Sequence, residues 1–79
     1  MIVEYYVLSG EGDRGVWERV HATERGIKMR LRRERCGGDR WAYAVRLTGQ
    51  NVWSGDGIGE DIETGCTRFV PDAVVKGGV

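Results

Sequence analysis

Hydrophobic and polar residues alternate along much of this chain, most clearly from Ile27 to Thr48. Ile27, Met29 and Leu31 are interleaved with Lys28, Arg30 and Arg32. Beyond Gly37-Gly38-Asp39, Trp41, Tyr43, Val45 and Leu47 are interleaved with Ala42, Ala44, Arg46 and Thr48. Period-two alternation on both sides of a glycine-rich break predicts an antiparallel hairpin with one buried face. On this reading 27–48 is the central hairpin of a mainly β fold, a small antiparallel sheet of four to five strands with at most one or two short helices. Met29, Leu31, Tyr43 and Val45 then point inward together.

The flanking pattern extends the sheet. Ile2 to Leu8 is rich in β-branched and aromatic residues and predicts an interior strand whose second face is partly covered. A glycine-rich turn follows over Ser9–Gly15. Residues 16–25 fit two descriptions. As a strand, Val16, Val20 and Ala22 alternate with Arg19, His21 and Thr23; as a helix, Val16, Val20 and Ile27 nearly share a face. Regular strand–turn spacing favours the strand, and an α+β fold with a helix near 16–25 is the alternative. After Thr48 the pattern gives a turn at Gly49-Gln50-Asn51, an apolar pair Val52-Trp53, and a loop over Ser54–Gly59. Glu60–Gly65 reads as one helical turn or more loop. Cys66–Val70 is the last strand, stopped by Pro71-Asp72, with Ala73–Val75 as a further edge before a fraying glycine-rich tail.

Seventy-nine residues make one domain, 1–79, near the size at which burial alone barely sustains a fold. Formal net charge is zero, but the distribution is uneven. Residues 1–13 carry three acids and no base, 14–46 ten bases and four acids, and 47–79 two bases and five acids. A basic middle between acidic ends can pair internally. No stretch has the ~18 apolar residues of a membrane span. The N-terminus reads as mature structure and not a signal, so the expected location is the cytoplasm.

Candidate chemistry is sparse. Gly10-Glu11-Gly12-Asp13-Arg14-Gly15 matches GxGxxG after a predicted strand. Glu11 and Asp13 would repel a pyrophosphate there, and the chain is too short for a dinucleotide-binding sheet, so the motif reads as a loop. Cys36 and Cys66 form no CxxC pair. With His21 as the remaining soft ligand they predict no zinc site, leaving free thiols or one disulfide that would close a long loop. His21 has no nucleophile partner, and Ser9 and Ser54 sit in no nucleophile elbow. No cofactor is expected. Two charged groups remain. Asp56, Glu60, Asp61 and Glu63 fall within eight residues with no base among them. They make either a solvated loop or an acidic patch that docks on a basic surface. Lys28, Arg30 and Arg32, with Arg33 and Arg35 nearby and Arg46 across the hairpin, would give a basic sheet face able to meet phosphates.

In length, in its Gly- and Arg-rich composition and in its opening run IVEYYVLSGEGDRGVWERV, the whole chain resembles the small anti-CRISPR proteins that phages and other mobile elements direct at type I CRISPR–Cas systems such as type I-C. The resemblance implies a non-enzymatic inhibitor that binds protein subunits of the surveillance complex and blocks recognition of target DNA. It would act in the host bacterial cytoplasm as a monomer or weak homodimer. Asp56, Glu60, Asp61 and Glu63, with Trp53 as an apolar anchor, would form the contact, no direct nucleic-acid binding being expected. The alternative is a small β-rich nucleic-acid-binding module using Lys28, Arg30, Arg32 and Arg46.

Overall fold

The computed structural model describes residues 1–77; the last two residues of the expected fraying tail lie outside the described residues. Five strands form one antiparallel sheet: β1 (Val3–Glu11), β2 (Arg14–Ala22), β3 (Arg40–Gln50), β4 (Gly57–Asp61) and β5 (Thr67–Val70). Helix α1 (Glu24–Glu34) lies between β2 and β3 in sequence, and a short α2 (Asp72–Val75) follows β5. The spatial order is β2-β1-β3-β4-β5. The fold is therefore mainly β, with two short helices.

The first hairpin is built by its turn. β1 and β2 pair without a break from Val3↔Ala22 to Glu11↔Arg14, leaving Gly12-Asp13 as a two-residue loop. Gly12 has φ +62°, the left-handed start that lets a two-residue turn follow the twist of its strands. Residues 16–22 are thus strand and not helix.

The expected central hairpin at 27–48 does not form. Its second arm is β3, but its first arm is helix α1. Topology requires this. β2 and β3 both pair antiparallel with β1, on its opposite sides, so they run parallel to each other. A tight turn cannot join parallel strands, and the connection must cross over the sheet. Thr23 opens the crossover helix: its Oγ1 accepts from the Gly26 N–H at 3.0 Å, with backbone outside the helical region, as an N-cap requires.

The crossover decides what is buried. Ile27 and Leu31, one turn apart, are fully buried against Tyr5, Val7, Ala42 and Ala44. Met29, expected inside, is 58% exposed, because an i, i+2 pair cannot share a helix face. Ala42 and Ala44, assigned by alternation to the outer face of the hairpin, are the small residues over which α1 packs. On the other side of the sheet Tyr6, Val45 and Val70 are buried, with Trp17, Tyr43, Leu47, Val74 and Val75 packed against them. Tyr43 and Val45 face this second core, as the alternation of β3 predicts. Ala73–Val75 belong to α2 and not to an edge strand, Glu60 and Asp61 end β4, and Val52 and Trp53 lie exposed in the β3–β4 connection.

Candidate interaction surfaces

The acidic residues singled out from sequence do not form one free patch. Asp61 is 3% exposed. Its Oδ1 accepts the backbone N–H groups of Glu63 and Thr64 at 2.8 and 3.2 Å, and its Oδ2 accepts Arg68 Nε at 2.9 Å. Burial pushes the Asp61 carboxyl pKa up, but these hydrogen bonds outweigh it and hold the group below its ordinary value. Glu63 pairs with Arg35, whose Nη1 donates to Oε2 at 3.0 Å. That bond lowers the pKa of Glu63 and raises that of Arg35. Asp56 Oδ1 accepts the Asp72 N–H at 2.9 Å, tying the β3–β4 loop to the start of α2. Glu60 is exposed, opposite Arg46 in the β3–β4 register. Trp53 is 95% exposed on a loop knotted by Asn51 Oδ1, which accepts the N–H groups of Trp53 and Ser54. Three of the four acids thus serve the fold.

The basic residues are also redistributed. With 27–34 helical, Arg30 leaves the face that Lys28 and Arg32 still share, and Arg46 lies on β3 beside Glu60. Arg30 turns inward to Glu18 on β2 at 2.6 Å and to Glu34 at 3.9 Å. Arg35, the C-cap residue, donates through Nε and Nη2 to the Ala42 carbonyl, fastening the helix end to β3. Arg40 pairs with Glu34.

What remains is a stripe the alternation could not reveal. At 3.6 residues per turn, Arg25, Lys28, Met29, Arg32, Arg33 and Cys36 project from the side of α1 opposite Ile27 and Leu31. All six are exposed. Among the described residues Arg25, Arg32 and Arg33 have no ion pair, and Lys28 has only the exposed i, i+4 contact with Glu24 at 3.6 Å. A shallow groove runs along this surface, lined by Gly26, Met29, Arg32, Arg33 and Cys36. The signal for it was present in the sequence as basic residues at spacings of three and four.

No protein family, no curated protein and no solved structure matches the chain.

Both cysteines are free and exposed, so no disulfide links Cys36 to Cys66. His21 Nε2 lies 3.2 Å from Glu4 Oε2, and Glu4 Oε1 accepts the Tyr6 hydroxyl at 3.1 Å. Burial, reinforced by that bond and the carboxylate charge, pushes the Tyr6 pKa up. Among the described residues no three metal-ligating side chains cluster, and no helix is long and apolar enough to cross a membrane.

The GxGxxG stretch is the turn of the first hairpin, and its glycines have a different use. Trp41 on β3 stands beside Gly10, which pairs in turn with Gly15. The indole reaches across toward β2: a Cβ on Gly15 would come within 2.7 Å of Trp41 Cη2. Its Nε1–H donates to the Gly12 carbonyl at 2.7 Å. Gly15 clears the space that the ring occupies.

Proposed function

We propose that this protein is an anti-CRISPR inhibitor that binds a type I CRISPR–Cas surveillance complex and blocks recognition of target DNA. It works by binding and not as an enzyme, in the cytoplasm of the host bacterium. The whole-chain resemblance in length, composition and opening run supports the class. The observation that carries the mode of action is the outer stripe of α1, where Arg25, Arg32 and Arg33 have no ion pair among the described residues. Arginine at an interface retains its charge and offers a rigid fork of donors to carboxylates. A stripe of this kind, steered by charge, meets an acidic surface of a protein subunit. Met29 lies among the arginines and supplies an adaptable apolar contact.

The test is a pull-down and a plasmid-interference assay with an assembled type I complex. The Arg25→Glu/Arg32→Glu/Arg33→Glu variant should keep its circular dichroism spectrum, since these side chains hold nothing inside the fold. It should lose retention on the complex and protection from interference. Undiminished inhibition by that variant would remove α1 from the interface.

The same free arginines favour one second reading, the small β-rich nucleic-acid-binding module. It predicts that the isolated protein shifts DNA or RNA in a gel and that the shift weakens steeply with added salt. The inhibitor reading expects no shift at moderate salt.

A further inference from the structure

We propose that the exposed side of the Trp41 indole, together with the tip of the β1–β2 hairpin, is a second docking site, one that takes arginine side chains of a protein partner. It lies on the sheet face opposite α1 and is independent of the helix stripe.

The sheet already contains an example of the contact. Trp17, Trp41 and Tyr43 form one aromatic row, Trp41 stacked on Tyr43 with 6.1 Å between centroids and 21° between planes, and Trp17 edge-on to Tyr43 at 6.2 Å. The Arg68 guanidinium sits over the Tyr43 ring, 3.8 Å from its centroid. This is cation–π geometry, with the guanidinium anchored from behind by Asp61. Trp41 is the next ring in the row, nearly parallel to Tyr43 and partly exposed. No cation among the described residues stacks on it. Indole is the strongest of the aromatic partners for a cation.

Acidic residues flank the backbone that holds this ring. Its Nε1–H is bound to the Gly12 carbonyl, and the Gly12 N–H donates to the Asp39 carbonyl at 3.2 Å. Those contacts place Asp13 and Asp39 at the hairpin tip beside Gly12; Glu11, in phase with Tyr5 and Val7 on β1, belongs to the α1 side. Asp13 and Asp39 are exposed, and neither has an ion pair among the described residues. Of the nearby bases, Arg40 is engaged by Glu34 and Arg14 stands opposite Glu11 in the β1–β2 register. An aromatic plane next to a hairpin tip that carries two unpaired acids suits a cationic side chain by charge complementarity and repels a nucleic-acid backbone. Arginine is favoured over lysine because its planar group stacks as well as pairs.

The experiment follows backbone and indole resonances of the full chain by NMR during titration with a short oligo-arginine peptide. Oligo-lysine, oligo-glutamate and free arginine serve as the other arms. The expected result is movement of the Trp41 indole N–H and the Gly12 amide with oligo-arginine, weaker movement with oligo-lysine and none with oligo-glutamate. Free arginine should act at the same resonances with lower affinity, since a linked series of side chains gains from multivalency. The Asp13→Asn/Asp39→Asn variant, altered only at exposed positions, should bind oligo-arginine about three- to tenfold more weakly. Trp41→Leu should abolish the response, and an unchanged spectrum elsewhere would show that its fold survives. Absence of binding, equal binding by the Asn variant, or shifts confined to other carboxylates such as Glu60 would overturn the site.

Discussion

From the end of β4, Asp61 binds two further pieces of chain with one carboxylate: the turn after β4 through two backbone N–H groups, and β5 through Arg68. Arg68 in turn covers Tyr43. The folded-state pKa of Asp61 is lowered by these bonds against the opposing effect of burial, and that of Glu63 is lowered by Arg35. A depressed carboxylate pKa means that the unfolded chain takes up protons first as the solution is acidified. The stabilisation is complete above the ordinary carboxylate range and is lost as pH falls through the folded-state values. Denaturant melts should therefore give a stability that is flat near neutrality and declines below about pH 4. Asp61→Ala should cost about 1.5–3 kcal/mol at pH 7, the scale of hydrogen bonds to a charged group. It should also flatten the acid limb of the profile. An Asp61→Ala variant with the wild-type acid limb would show that other carboxylates control it. At this scale the sequence misled, because four neighbouring acids look alike in one dimension. Whether a carboxylate is spent inside the fold depends on where Arg35, Arg68 and the Asp72 N–H arrive from distant positions.

At the scale of elements, the lesson lies in α1. Ile27, Met29 and Leu31 satisfy a period of two, but Ile27 and Leu31 alone satisfy one helical turn, so the apolar pattern was degenerate over these few residues. Propensity pointed the other way. In ERGIKMRLRRE only Ile27 is β-branched, while Arg, Lys, Met, Leu and Glu are good helix formers. The N-cap was easy to overlook, because Thr23 is followed at the third position by Gly26 and not by the Glu or Gln of a capping box. Strand β1, the second arm of the supposed hairpin and the stop at Pro71 were legible, since each carries alternation or turn residues without a competing helical solution; β2 was legible over its helical alternative only through the regular spacing of strands and turns. The cap supplies a direct check. Thr23→Ala removes the acceptor for the Gly26 N–H and should destabilise the protein by about 1 kcal/mol, with Thr23→Ser near wild type. Equal melting of all three proteins would show that the helix is held by Ile27 and Leu31 alone. The candidate surface depended on the same element: only with α1 helical do Arg25, Lys28, Arg32 and Arg33 gather on one side.

For the molecule as a whole, a sheet covered on both faces gives so short a chain two small cores in place of one. α1 closes the first over Tyr5, Val7, Ala42 and Ala44, and α2 helps close the second over Tyr6, Val45 and Val70. β1 contributes consecutive residues to both, Tyr5 and Val7 to one side and Tyr6 to the other, and it is hydrogen-bonded to β2 and β3 along its two edges. β3 shares this position: it is hydrogen-bonded to β1 and β4, with Ala42 and Ala44 facing the first core and Val45 the second. Opening β1 must disrupt both cores and two strand ladders together, so its amides exchange only through global unfolding. The opposite margin is different: β5 has four residues and a single strand neighbour, and α2 has four residues with no side-chain cap. Native-state hydrogen exchange should accordingly show the greatest protection at the central amides of β1 and the facing part of β3. β5 and α2 should exchange by local opening at lower free energy. This ordering also bears on function. Both proposed docking surfaces, the α1 stripe and the Trp41 platform, are anchored to β1 or its immediate neighbours and not to the fraying margin. A partner would therefore meet them already formed, with little ordering cost on binding. If α1 exchanged as fast as α2, the helix stripe would have to be ordered by its partner, and the preformed interface would have to be given up.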